Sequence, residues 1–121
     1  MARYGRGRTE CGLATVFALV LMGALLAVTG VAAAAIGVAI ALHRASAAAD
    51  LAALAGGQAL REGAEPCSAV ARSAASNGAR VTACAVDGVD VQVTVEVRTP
   101  TVAGLAWAVP STARAGPVGA R

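Results

Sequence analysis

The chain has 121 residues, 57% of them hydrophobic, but only three are aromatic: Tyr4, Phe17 and Trp107. Alanine and valine bury little area each, so one small domain with a thin core is the ceiling, and it must lean on a membrane, a partner or a cross-link. The formal charge of +3 comes from ten arginines, with no lysine, against seven carboxylates; three arginines sit in the first eight residues and the seven from Arg44 onward interleave with six carboxylates, which excludes the basic, aromatic-studded patch of a nucleic-acid binder.

Residues 1–12 are polar and rich in Gly and Arg, and they read as an unstructured basic tail. Leu13 to Leu42 then carries no charge at all. As a helix at ~1.5 Å per residue it makes a rod of roughly 45 Å, and a bilayer core needs only about 20 apolar residues. Residues 13–42 are therefore expected to be a transmembrane helix. Arg3, Arg6 and Arg8 precede it, whereas His43 and Arg44 follow it. The positive-inside bias puts the N-terminus in the cytoplasm and the residues from 43 on outside, as in a single-pass protein of the cell membrane. A rival is a cleaved secretory signal with a site such as Ala45-Ser46-Ala47, although a signal's apolar region is only about 7–15 residues long.

Inside the run, Gly23, Ala27, Gly30, Ala34, Gly37 and Ala41 recur at alternating steps of four and three and share one helical face. Small residues at that spacing let a second helix approach closely. An Ala-rich helix shows such stripes by composition too, but glycine costs helix stability, which favours a packing role. Past Leu42 the helix is expected to continue to Ala55 or Leu60 as an amphipathic extracytoplasmic helix. Ser46, Asp50, Gly57 and Arg61 lie on its polar face, and Ala47, Leu51, Leu54, Ala55 and Ala59 on its apolar face.

Glu65-Pro66 opens a second, short helix, because proline is tolerated in a first turn. Cys67, Val70, Ala71 and Ala74 line one face of it, and Asn77-Gly78 stops it. Arg80 to Val86 leads into Asp87-Gly88, a favoured two-residue hairpin loop. The return strand sets Val89, Val91, Val93, Val95 and Val97 on one face and Asp90, Gln92, Thr94, Glu96 and Arg98 on the other. In that register Cys84 opposes Val91 and points to the valine face, with the short helix as its cover. A Cys67–Cys84 bridge would staple helix to hairpin, the alternative being two small buried thiols; Cys11 would lie in the reducing cytoplasm. Val102 to Val109 reads as a third strand or a turn plus strand, with Trp107 either packed on the open valines or at the membrane interface. The small extracytoplasmic domain is placed at 43–110 and a flexible tail at 111–121.

Catalytic groupings are missing from the sequence. His43 is the one histidine, and no Ser, Cys or Asp has a plausible partner base. There is no CxxC pair, phosphate-cradling loop or carboxylate cluster. No enzymatic activity, cofactor, metal or small-molecule substrate is expected.

Gly12-Leu13-Ala14-Thr15-Val16-Phe17-Ala18-Leu19 resembles the start of TadE/TadG-like pilin proteins, in which a basic tail ending in Gly leads straight into the span. Ala48-Ala49-Asp50-Leu51-Ala52-Ala53-Leu54-Ala55-Gly56 is similar to that group's extracytoplasmic helix motif. Asn77-Gly78 with its following valines fits as well, and Ala113 to Val118 is similar to the end of a short actinobacterial TadE-like subgroup. The resemblance implies a pilin-like α+β fold: a long N-terminal helix, then a short helix packed on a small antiparallel hairpin or sheet. It implies a minor pilin, pseudopilin or assembly component of a Tad/Flp-type pilus or related secretion system, with other pilin-like subunits as partners and cleavage between Gly12 and Leu13. Phe17 stands where the family commonly carries a Glu thought to neutralise a neighbour's N-terminal amine, and Cys11 stands where the group often has Arg. Because no carboxylate lies between Leu13 and Leu42, a cleaved chain would need one from a partner. The competing readings are a secreted, disulfide-stapled interaction module and a single-span accessory subunit of another membrane complex.

Overall fold

The computed structural model describes residues 7–101 and 104–118, with backbone alone at 7–10. The fold is α+β. Helix α1 (Gly7–Arg61) and helix α2 (Pro66–Ser76) are followed by strands β1 (Arg80–Asp87), β2 (Asp90–Arg98) and β3 (Ala108–Ala115). The strands form one antiparallel sheet in the order β1-β2-β3. The chain divides into two compact units, Met1–Ile36 and Gly37–Arg121.

The first unit is helical from Gly7, so residues 7–12 extend the helix rather than forming an unstructured tail. Nothing between Gly7 and Leu13 breaks a helix, and adding residues to an existing one costs little. Arg3 and Arg6 lie outside the described residues. From Leu13 to Val31 the large apolar side chains are exposed, Leu13 at 77% and Phe17 at 65%. The most apolar window has a mean hydropathy of 2.5, and none of it is buried. Thr15 and Thr29 donate their hydroxyl protons to the carbonyls of Cys11 and Leu25, each at 2.8 Å. Neither hydroxyl therefore needs water.

The second unit is built on the rest of α1. Its buried face is made of Ala41, Ala45, Ala48, Ala49, Ala52, Ala53 and Ala59, whereas Leu51 and Leu54 are exposed. The buried face is thus shifted around the helix from the one expected from hydropathy: Ala59 stays on it, Ala47, Leu51 and Leu54 leave it, and Ser46, Asp50 and Arg61 remain exposed. The reason is the partner surface: Val91, Val93, Val95 and Val97 of β2 form a row of buried branched side chains. Only small residues let the helix settle onto that row, and leucines would hold it off. The same logic carries α1 through Gly56-Gly57 to Arg61. It ends where Gly63 takes φ +73°, with the Ala64 N–H bonded to the Ala59 carbonyl at 2.8 Å and the Gly63 N–H to that of Leu60 at 3.3 Å, a Schellman stop.

Helix α2 begins as its sequence predicts. The Glu65 carboxylate accepts from the N–H groups of Cys67 at 3.2 Å and Ser68 at 2.6 Å, and Pro66 takes the first turn. Gly78, at φ +70°, closes a second stop of the same kind. Val70 and Ala74 are buried and Cys67 is half-buried, but Ala71 is exposed, contrary to its expected place on the apolar face.

The hairpin loop is Gly88-Val89, one residue later than expected, because Asp87 pairs with Asp90. Cys84 consequently faces Val93, not Val91. Moving a loop by one residue shifts the pairing by two, and side chains alternate with period two, so Cys84 keeps its face. Val89 falls in the turn and is exposed, so it leaves the valine row. The register slips between Val81 and Ala83. There the Thr82 hydroxyl donates to the Thr94 carbonyl at 3.2 Å.

Strand β3 corrects the C-terminal boundary: Ser111 to Ala115, placed in a flexible tail by the sequence, pair with Val95 to Val91 of β2. Val109 and Ala113 supply the period-two burial. Pro110 is tolerated because β3 is an edge strand. The strand is further tied by the Thr94–Thr112 hydroxyl pair at 3.1 Å and the Arg114–Asp90 ion pair. Residues 102–103 and 119–121 lie outside the described residues, so the third strand's expected start at Val102 does too.

Candidate functional site: the helix face and the stapled head

The residues of the small-side-chain stripe divide between the two units. Gly23, Ala27 and Gly30 are exposed, and a Cβ on Gly23 or Gly30 would meet nothing within 4 Å. Ala34 and Gly37 are half-buried. A Cβ on Gly37 would lie 3.9 Å from Pro100 Cγ, so this end of the stripe already has a neighbour in the head. Ala41 is in the core at 3% exposure. Ala41, Ala45, Ala48 and Ala52, buried against the sheet, keep the same steps of three and four as the stripe above them.

Cys67 and Cys84 form a disulfide, Cα to Cα 5.9 Å, across 17 positions of chain. It ties α2 to β1 where the two elements pack. Cys11 is a free, exposed thiol. Gly12 and Leu13, where the resemblance implies a processing junction, lie within α1, with Leu13 exposed and open space around Gly12.

Two clefts mark the second unit. An apolar one of about 250 Å³ lies between Leu54, Leu60, Val89 and Pro117 near the hairpin loop. A larger one of about 730 Å³ lies at the other end of the sheet, lined by Arg44, Asn77, Arg80, Glu96, Arg98 and Trp107 among others. Arg80 pairs with Glu96 at 2.6 Å. Arg44 and Arg98 have no carboxylate partner among the described residues. Trp107 is half-exposed and does not roof the valine row, which α1 covers.

The backbone of Trp107 is held by a residue that nothing in the sequence singles out. Thr99 is 6% exposed, and its hydroxyl donates to the Trp107 carbonyl and accepts from the Trp107 N–H, each at 3.1 Å. The Thr99 N–H also reaches that carbonyl at 2.9 Å. A threonine just before a proline gives no signal of this in sequence, because its partner is eight residues away.

No three His, Cys, Asp or Glu side chains cluster as metal ligands would among the described residues. His43 is exposed on α1. Comparison with protein-family models, curated proteins and solved structures finds no match to this chain.

Proposed function

We propose that this chain is a single-span membrane subunit of pilin type, N-terminus in the cytoplasm and head outside. In this reading it serves as a minor pilin, pseudopilin or assembly component of a Tad/Flp-type pilus or related secretion machine, and acts by helix packing and display of its head. One observation carries the reading: α1 is a single helix, fully exposed where it is most apolar and buried along one alanine face from Ala41 to Ala59. The head is thus built on the continuation of the membrane segment. Leu13 to Ile36 gives 24 residues, roughly 36 Å of helix against a hydrocarbon core of about 30 Å. The excess length that the apolar run to Leu42 shows is spent inside the head. The disulfide is consistent with an oxidising side of the membrane for residues 67 and 84.

A secreted module is disfavoured on packing grounds. A cut at Ala45-Ser46-Ala47 would fall inside α1 and strip Ala41 and Ala45 from the core. The accessory-subunit reading shares the same physics and differs in the partner.

Sequencing the N-terminus of the membrane-bound protein tests the proposal. A start at Leu13 supports the processed pilin route, and a start at residue 1 or 2 supports an uncleaved assembly factor. A start near Ala48 overturns both. Cross-linking to neighbouring helices should fall with Gly30→Leu while membrane insertion is kept, since a Leu there holds backbones apart. Unchanged yields would mean that the stripe reflects composition alone.

A further inference from the structure

Two contacts fix how α1 runs along the sheet within the second unit. Gly37 lies at Pro100, and Gly57 lies at Ala115, whose strand partner is Val91. The helix therefore enters the unit at the Pro100 end and leaves toward the hairpin loop. The chain upstream of Gly37 is the apolar run. If that run spans a bilayer, as proposed above, the lipid surface falls near Gly37 and the Pro100 end of the sheet stands on it.

That end has the chemistry of a lipid interface. Leu105 is 67% exposed and Trp107 47% exposed, in the connection between β2 and β3. Above them opens the 730 Å³ cleft, a volume in the range of a small-ligand site. Its charged lining is Arg44, Arg80, Arg98 and Glu96, an excess of two positive charges. The Glu96 carboxylate is committed to Arg80, so the cations left to take an anion are Arg44 and Arg98. Arg44 is two residues past the end of the uncharged run. Tryptophan and arginine are the side chains that settle at headgroup level, and the Thr99 clamp holds this tryptophan's backbone in place. The opposite cleft, near the hairpin loop, is apolar and carries one charge, Arg61, so it lacks this pairing of cations with an aromatic.

We propose that the cleft at Arg44, Arg98 and Trp107 holds the phosphate headgroup of an anionic phospholipid, with Leu105 and Trp107 seated in the bilayer interface beside the entry of α1. The head is then docked on the membrane rather than held only by its helix. This rests on the spanning reading of α1.

Trp107 is the one tryptophan of the chain, so its fluorescence reports this site alone. The full chain is placed in phosphatidylcholine nanodiscs, and brominated phosphatidylglycerol or brominated phosphatidylcholine is titrated in. Trp107 should be quenched by both, with half-quenching at a lower fraction of the anionic lipid. Arg44→Gln and Arg98→Gln should each raise that fraction about fivefold, the effect of one surface arginine on an anionic membrane. Arg114→Gln, far from the cleft and paired with Asp90, should leave it unchanged. Inorganic phosphate in the buffer should not relieve the quenching; relief would make a free anion the occupant and overturn the proposal. Equal half-quenching by the two lipids, or arginine variants that behave as the parent, would overturn it as well. Alkaline carbonate extraction of native membranes separates the two levels. A chain retained in the membrane whose Trp107 stays unquenched sinks the docking inference alone, whereas a released chain sinks the spanning reading and this inference with it.

Discussion

Gly56 is the residue on which the head closes. A Cβ there would sit 2.6 Å from Val70 Cγ2 and 3.0 Å from Val91 Cγ1, which brings α1, α2 and β2 to one point. At Gly57 the nearest atom would be Ala115 Cβ at 3.5 Å, an ordinary contact. The two neighbours should respond to alanine with opposite signs. Gly57→Ala gains helix propensity of up to about 1 kcal/mol. Gly56→Ala gains the same propensity but overpacks the core, at a cost of about 1–3 kcal/mol. Urea unfolding followed by Trp107 fluorescence should show a higher midpoint for the first and a lower one for the second; two higher midpoints would mean the core gives way at Gly56. At Thr99, valine keeps the shape but removes both hydroxyl bonds to Trp107. Thr99→Val should lower stability by about 1–3 kcal/mol, and the Trp107 emission band should broaden as its backbone loosens. An unchanged band and midpoint would show that the direct Thr99 N–H bond suffices.

At the scale of elements, the lesson is that packing partners choose faces. Helix α1 buries alanines because β2 offers valines, and the exposed Leu51 and Leu54 follow from that choice. Helix α2 is short and contributes only Val70 and Ala74 to the fully buried set, so its tie to β1 through Cys67–Cys84 matters more than its packing. In the chain-entropy treatment a loop of this length is worth about 3 kcal/mol. Cys84→Ala should therefore lower the amount of folded protein in the membrane, while Cys11→Ala, which removes an exposed free thiol, should not. Pulse-chase turnover of the two variants would show the difference. Equal lifetimes would mean the head stands without its staple.

For the whole molecule the decisive question is which side of the membrane each cysteine occupies. If the first unit crosses the bilayer as proposed, Cys11 should resist a membrane-impermeant thiol reagent in intact cells and react after permeabilisation. Cys67 and Cys84 should react from outside only after reduction. Labelling of Cys11 in sealed cells would reverse the orientation, because the free thiol sits at the opposite end of the apolar run from the head. The same experiment weighs the arginine argument, since Arg3 and Arg6 act through charge whatever backbone they adopt.

Local chemistry was enough to read much of this protein from its sequence. The uncharged run, the Glu65-Pro66 start, the Asn77-Gly78 stop and the alternating valines each depend on neighbours within a few positions. The Cys67–Cys84 pairing followed because face parity survives a one-residue error in the loop. What the sequence left open or misplaced depends on long-range partners. Leu51 looked more apolar than Ala52, yet only the valine row decides which of them faces inward. Gly56 gives no sign in the sequence that Val70 of α2 and Val91 of β2 both close on it. Ser111 to Ala115 looked like a tail, because its burial comes from pairing with β2 and not from its own hydrophobicity. Arg44, Arg98 and Trp107 are up to 63 residues apart in the chain, and only the register of three strands against one helix puts them around one cleft. Sequence carries propensity and period, whereas the choice of face and the meeting of distant side chains are settled by shape complementarity, which exists only once the chain has closed on itself.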